Sequence, residues 1–146
     1  GSAYLDMDAN KRYYGFREVC EKRNVPYIVL DANEEQFHAM RYEDIIASLL
    51  NDHPDVDGIF TSNDILAAQV LQACYSRGIN IPGQMKVVGY DDIDLCTLCT
   101  PQITTIHQHV NDICQYAVEC IVFKTEKKAI PTSVTFPVSL IVRGTT

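Results

Sequence analysis

The alternation of helical segments with short apolar runs is the feature that most constrains the fold of this chain. Apolar residues recur at helical spacing in four segments, 8–23, 42–50, 63–77 and 110–124. Apolar runs typical of strands lie between or after them, at 27–30, 58–61, 86–90, 103–106, 134–136 and 139–142, and a loop is predicted after residue 30. This order predicts an α/β fold in which a parallel sheet is flanked by helices.

Charge and hydropathy exclude two classes of partner for this segment. The 146 residues carry a formal net charge of −7, and the basic residues form no extended face of the kind that holds DNA phosphates. No apolar run approaches the roughly 18 residues of a membrane-spanning helix. The first residues lack the basic and apolar regions of a signal peptide. We therefore expect contact with neither nucleic acid nor membrane, and a cytoplasmic location.

Six cysteines raise the question of a metal or redox site. Four of them lie within helical patterns, where a thiol acts as a small apolar side chain: Cys20, Cys74, Cys114 and Cys120. Cys96 and Cys99 form a single CxxC pair, with His107 and His109 downstream. A zinc site needs about four converging ligands, usually including a second closely spaced pair. We therefore expect reduced structural thiols, no metal and no cofactor, although a zinc or redox site remains an alternative.

Polar residues follow two of the predicted strands directly. Asn63 comes just after the strand at 58–61, and Asp91 comes just after the strand at 86–90. Ligands of such sheets bind beyond the carboxyl ends of the strands, and amide and carboxylate groups suit the hydroxyls of a sugar. The alternative is that Asn63 only caps the following helix and that Asp91 only begins a turn. The spacing leaves both interpretations open.

An ordered set of short motifs is more specific than this spacing. Residues 58–68 read GIFTSNDILAA, residues 87–92 read VVGYDD, and residues 12–16 read RYYGF. Gly78 with Ile81-Pro82, Pro101 with TTI at 104–106, and RGTT at 143–146 complete the set. In this order the motifs resemble the lac/gal repressor family of bacterial transcription regulators, over essentially the whole chain.

The resemblance implies a periplasmic-binding-protein-like fold of type I that is incomplete in this chain. It assigns residues 1–107 and 138–146 to the C-terminal lobe of an effector-binding domain, and residues 108–137 to a crossing segment of the N-terminal lobe. The family's DNA-binding headpiece and a central strand have no counterpart in the sequence. Because the unpaired N–H and C=O groups of an exposed strand edge can pair with another chain, we expect the chain on its own to self-associate.

The resemblance also implies roles for individual residues. It predicts effector contacts for five of them, Arg12, Phe37, Asn63, Asp91 and Gln108, whereas Asp64 and Asp92 are expected to serve the cap and the loop. It places a dimer interface on the helix at 63–77, with four candidate residues, Ala67, Ala68, Leu71 and Tyr75. The alternative for these four is that they pack on the sheet.

The function that the resemblance implies is that of the sugar-binding and dimerisation part of a transcriptional repressor. The effector would be a small carbohydrate of ribose or sucrose type, and operator DNA would be bound only through a headpiece outside this chain. A periplasmic sugar-binding protein of a transport system shares the fold and is the main alternative. A phosphoacceptor domain is disfavoured because its acidic residues should follow the first strand. No nucleophile or dinucleotide motif indicates an enzyme.

Overall fold

The chain forms a mixed α/β fold in which helices pack against a four-stranded sheet. A computed structural model describes residues 7–126 and 133–146, without the side chains of residues 7–10, 34 and 37. The helices are α1 (Met7–Lys22), α2 (Glu34–Ala39), α3 (Glu43–Asp52), α4 (Asp64–Ser76), α5 (Leu95–Leu98) and α6 (Val110–Thr125). The strands are β1 (Gly58–Phe60), β2 (Lys86–Asp91), β3 (Thr104–Gln108) and β4 (Val138–Ile141).

The sheet has the order β1-β2-β3-β4. Strands β1, β2 and β3 are parallel, as predicted, with Ile59 opposite Val87 and Gly89 opposite Thr105. Strand β4 pairs antiparallel with β3, so the predicted parallel sheet is mostly parallel and has one antiparallel edge strand. The reason is that α6 leaves from the carboxyl end of β3, and the chain returns from that end along the free edge.

The core lies between the sheet and helices α3 and α4. Ile46, Val70, Cys74, Val87 and Ile103 are all buried in it. The apolar stripe predicted for α3 is confirmed, since Leu49 is also buried and Ile45 and Leu50 pack against the core. No helix within 7–126 or 133–146 is long and apolar enough to cross a membrane.

Two predicted strands are absent from the described residues. Residues 27–30 form no regular secondary structure and pair with no described strand, and Ile28, Val29 and Leu30 are exposed. Residues 134–136 also lie outside the sheet. A strand needs a neighbouring backbone to complete its ladder, and in the part of the chain that the structure describes neither segment has one. The predicted loop after residue 30 contains the short helix α2.

Helix α6 has no buried residue. Ile113 and Ile121, from the stripe predicted to face a core, are exposed. Its apolar surface therefore contributes little to the stability of the described fold. The assignment of residues 108–137 to a second lobe is compatible with this exposure and stays a prediction.

A buried carboxylate joins α4 to strand β3 and to the loop that follows β2. Asp64 is 1% exposed, accepts a hydrogen bond from the Thr105 hydroxyl at 2.6 Å, and accepts another from the Ile93 amide at 3.0 Å. Gly89 on β2 lies directly against this carboxylate, and a Cβ there would collide with it. The prediction that Asp64 serves the cap and the loop is thus extended, because it also binds β3.

Substituting Gly89 tests how tightly this carboxylate is packed. Gly89→Ala places a methyl group against Asp64 and within 3.3 Å of the Thr105 hydroxyl, and these two groups cannot separate without breaking their own bond. Overpacking of this kind costs roughly 1–3 kcal/mol, so the midpoint of urea unfolding should fall.

Gly58→Ala is the matched control in β1, because a Cβ there meets no atom within 4 Å. We expect its unfolding midpoint to stay near that of the unsubstituted chain. Equal midpoints for Gly89→Ala and Gly58→Ala would contradict the packing described around Asp64.

Candidate functional site

The carboxyl end of β2 carries an acidic turn with an unusual backbone. Asp91 has φ +112° and Asp92 has φ +58°, a region that residues with a Cβ seldom adopt. The two carboxylates point to different partners. Asp91 Oδ1 accepts a hydrogen bond of 2.6 Å from the Gln108 side-chain amide at the end of β3. Two of the predicted effector contacts are therefore in direct contact with one another.

Asp91 combines partial burial with an incomplete set of hydrogen bonds. Burial raises the pKa of Asp91, while the hydrogen bond from Gln108 and the charge of Arg12 lower it, and the net shift is upward. The carboxylate is thus partly desolvated and bonded through one oxygen to an amide. This state suits a group that exchanges its partner for the hydroxyls of a ligand.

Arg12 connects α1 to the ends of β1 and β2. Its guanidinium lies over the Tyr90 ring at 3.7 Å from the centroid, and Nη1 donates a hydrogen bond of 2.9 Å to the Ser62 carbonyl. A guanidinium has five N–H donors in a planar fork. The stacking and this one bond orient the fork at the strand ends, beside Asp91.

Asn63 is the N-cap of α4. Its Oδ1 accepts a hydrogen bond of 2.8 Å from the Leu66 amide, so Asn63 does cap the helix, and its contact with an effector stays a prediction. The cap uses the oxygen of the side chain, and the amide nitrogen carries the donors with which a ligand would interact. We call Arg12, Asn63, Asp91 and Gln108 the strand-end cluster, since all four lie where β1, β2 and β3 end.

Asp92 belongs to a separate network that the sequence did not reveal. Arg143 Nη2 donates to Asp92 Oδ1 at 2.7 Å, and His107 Nδ1 lies 2.8 Å from Oδ2. Burial raises the pKa of Asp92, but the bonds from Arg143 and His107 outweigh it, and the pKa lies below the usual range. Arg143 was visible only as part of the terminal RGTT motif, and His107 only as a candidate metal ligand.

The remaining predicted residues fall in different places. Phe37 lies in α2, and its side chain is outside the described residues. Ala67 and Leu71 are buried in the core, Ala68 is half-buried, and Tyr75 is 86% exposed. Of the four residues predicted for the dimer interface, Ala67 and Leu71 thus pack within the chain and Tyr75 presents a largely exposed side chain, and the interface itself stays a prediction.

The cysteines of the CxxC pair lie at α5. Cys96 is fully buried, and burial together with contact with Asp64 raises the pKa of its thiol to about 12. Burial also raises the pKa of Cys99. In 7–126 and 133–146, no group of three or more His, Cys, Asp or Glu side chains is arranged to hold a metal ion.

With this geometry in place, comparison with known proteins gives the family. Residues 3–146 match the family model described as a periplasmic binding protein-like domain. The chain belongs to this family. The resemblance to lac/gal-type regulators is confirmed by the relatives found within it.

One curated relative is the ribose operon repressor of Halalkalibacterium halodurans, 36% identical over 139 residues. The alignment covers 94% of this chain and 41% of that repressor, so the chain spans less than half the length of this relative. The relatives are regulators rather than enzymes.

Solved structures agree with the fold. A LacI family regulator from Enterococcus faecium with bound ribose has a TM-score of 0.78 at 25% identity, covering 96% of this chain and 52% of that one. A LacI family regulator from Arthrobacter sp. FB24 in complex with lactose has a TM-score of 0.68 at 32% identity, covering 74% of this chain and 42% of that one.

Thiol alkylation tests whether the CxxC pair is reactive. At pH 8, a pKa of about 12 leaves Cys96 with about a thousandfold less thiolate than an ordinary cysteine. We expect Cys96 in the folded protein to resist iodoacetamide and to react readily after unfolding, as followed by peptide mass spectrometry. Rapid labelling of Cys96 in the folded protein would show an activated thiol and would favour the redox alternative.

Proposed function

We propose that this chain supplies one side of the effector-binding cleft of a transcriptional repressor and that its effector is a small neutral sugar. The observation that carries the proposal is the strand-end cluster, in which the paired Asp91 and Gln108 lie beside the oriented guanidinium of Arg12. An ionised carboxylate accepts hydrogen bonds from two neighbouring hydroxyls, and amide and guanidinium donors bind hydroxyl oxygens. A sugar ring offers both kinds of group.

Ribose is the first effector to test. The relative from Halalkalibacterium halodurans is a ribose operon repressor, and the regulator from Enterococcus faecium binds ribose. The regulator bound to lactose shows that the fold accepts other sugars. A sucrose-type effector is the second candidate, because a sucrose operon repressor of Streptococcus mutans is also similar to this chain.

The Asp91–Gln108 bond suggests how sugar binding is transmitted. Gln108 is the last residue of β3, and α6 begins two residues later in the predicted crossing segment. A sugar hydroxyl that replaces Gln108 at Asp91 releases an amide placed at this crossing. Sugar binding then favours one orientation of the two lobes, which is a shift of population caused by differential affinity.

The same proposal assigns the other partners. Operator DNA is bound through a headpiece outside this chain, in a cytoplasmic homodimer. Tyr75 on α4 and Leu98 on the adjacent α5 are 86% and 77% exposed and offer apolar surface for the partner subunit. The chain itself binds and does not catalyse.

The transport alternative has no support among the relatives, whose names describe regulators. It predicts secretion and no headpiece. Detection of a DNA-binding segment in the same polypeptide would exclude it.

Asp91→Asn tests the site in the intact protein. The substitution removes the charge and one acceptor from the group expected to bind two hydroxyls. Hydrogen bonds to charged groups are worth about 1.5–3 kcal/mol, so ribose affinity measured by calorimetry should fall at least about tenfold. Release of the protein from operator DNA should need correspondingly more ribose.

The pH dependence of binding is a second readout of the same variant. Because the pKa of Asp91 is raised, its charged form is lost at a higher pH than that of an ordinary aspartate. Ribose affinity of the unsubstituted protein should decrease as the pH falls through this pKa, and Asp91→Asn should lack this component. Asp94→Asn, an exposed position in the same loop, is the control. Unchanged ribose affinity in Asp91→Asn would show that the site is misassigned.

A further inference from the structure

The backbone of the acidic turn needs support from outside the turn. Two consecutive residues with a Cβ, Asp91 and Asp92, adopt positive φ angles of +112° and +58°. Such conformations persist only where the surrounding structure holds them, and they are concentrated at binding sites. The direction of the Asp91 carboxylate therefore depends on whatever holds Asp92 and Ile93.

Arg143 is the strongest of these supports. Its Nη2 donates to Asp92 Oδ1 at 2.7 Å, and its Nη1 donates to the Ile103 carbonyl at 2.9 Å. Both charged side chains are largely buried, at 16% and 15% exposure. One planar guanidinium thus ties the turn to the residue that precedes β3, a geometry that the single ammonium of lysine cannot reproduce.

Two further contacts complete the support. His107 on β3 binds the other oxygen of Asp92, and the Asp64 carboxylate holds the Ile93 amide. Asp91 and Asp92 are consequently bonded to consecutive residues of β3, Gln108 and His107. The second carboxylate is fixed on both oxygens, whereas Asp91 has one neutral partner that a ligand can replace.

We propose that Arg143 is a positioning residue for sugar binding, which acts by holding Asp92 so that the Asp91 carboxylate faces the cleft beside Gln108. The proposal rests on the proposed function of Asp91. Arg143 itself touches no ligand in this account. Its effect on affinity has to pass through Asp91, and this condition separates positioning from a general effect on stability.

A double-mutant cycle in the intact protein tests this condition, with D-ribose as the probe and calorimetry as the measurement. Arg143→Met keeps an unbranched apolar side chain in place of the arginine stem and removes the charge and the planar guanidinium. We expect about tenfold weaker ribose binding, the scale of one charge-assisted hydrogen bond. In the Asp91→Asn background, the same substitution should cause little further loss, because residues that act through one another are not additive.

Two conservative variants complete the test: one should restore part of the ribose affinity, and the other tests the same contact from the Asp92 side. Arg143→Lys should recover part of the affinity, since the charge beside Asp92 returns without the second bond to Ile103. Asp92→Asn should weaken binding in the same direction as Arg143→Met, and it decides the question if Arg143→Met does not fold. Leu49→Ala, at a buried position of α3 outside the strand-end cluster and the turn, should lower the melting temperature and leave ribose affinity of the folded protein unchanged.

The outcomes separate this proposal from the proposed function. Absence of binding of both D-ribose and sucrose, or full affinity in Asp91→Asn, overturns the proposed function and with it the role of Arg143. Reduced affinity in Asp91→Asn together with full affinity in Arg143→Met or Asp92→Asn overturns the positioning role alone. A loss in Arg143→Met that remains undiminished in the Asp91→Asn background also overturns it.

Discussion

The rest of the site depends on the hydrogen bonds that the buried Asp64 carboxylate accepts. A buried charge is costly unless hydrogen bonds satisfy it, and this one is satisfied by the Thr105 hydroxyl and the Ile93 amide. These two bonds join the start of α4 to β3 and to the turn after β2. They also require a glycine at position 89, because no Cβ fits against the carboxylate. Asn63 and Asp91 are brought to the same end of the sheet as a consequence.

Within this frame, two adjacent carboxylates acquire different properties. Burial with one neutral partner raises the pKa of Asp91, whereas bonds from Arg143 and His107 lower the pKa of Asp92. Asp91 has a neutral partner on one oxygen, whereas Asp92 has partners on both oxygens. This difference supports the proposal that Asp91 exchanges its partner for a ligand while Asp92 stays a fixed anchor.

Local sequence patterns predicted the features that depend on local physics. The Asn63 cap and the buried stripe of α3 both follow from neighbouring residues, and both are found in the structure. The Arg143–Asp92 bond joins residues 51 positions apart, and no pattern within either segment indicates it. The prediction of a strand at 27–30 was wrong for a related reason, because an apolar run does not show whether a neighbouring strand is present to pair with it.

The family and its sugar-binding expectation came from the order of several motifs, whereas the detailed geometry came from long-range contacts. The most direct test of the central claim is a crystal structure of the intact protein with bound D-ribose. The account predicts ribose hydroxyls within hydrogen-bond distance of the Asp91 carboxylate and the Arg12 guanidinium, with the Asp92–Arg143 pair unchanged. Ribose bound away from these strand ends, or an Asp91 that makes no contact with it, would contradict the account.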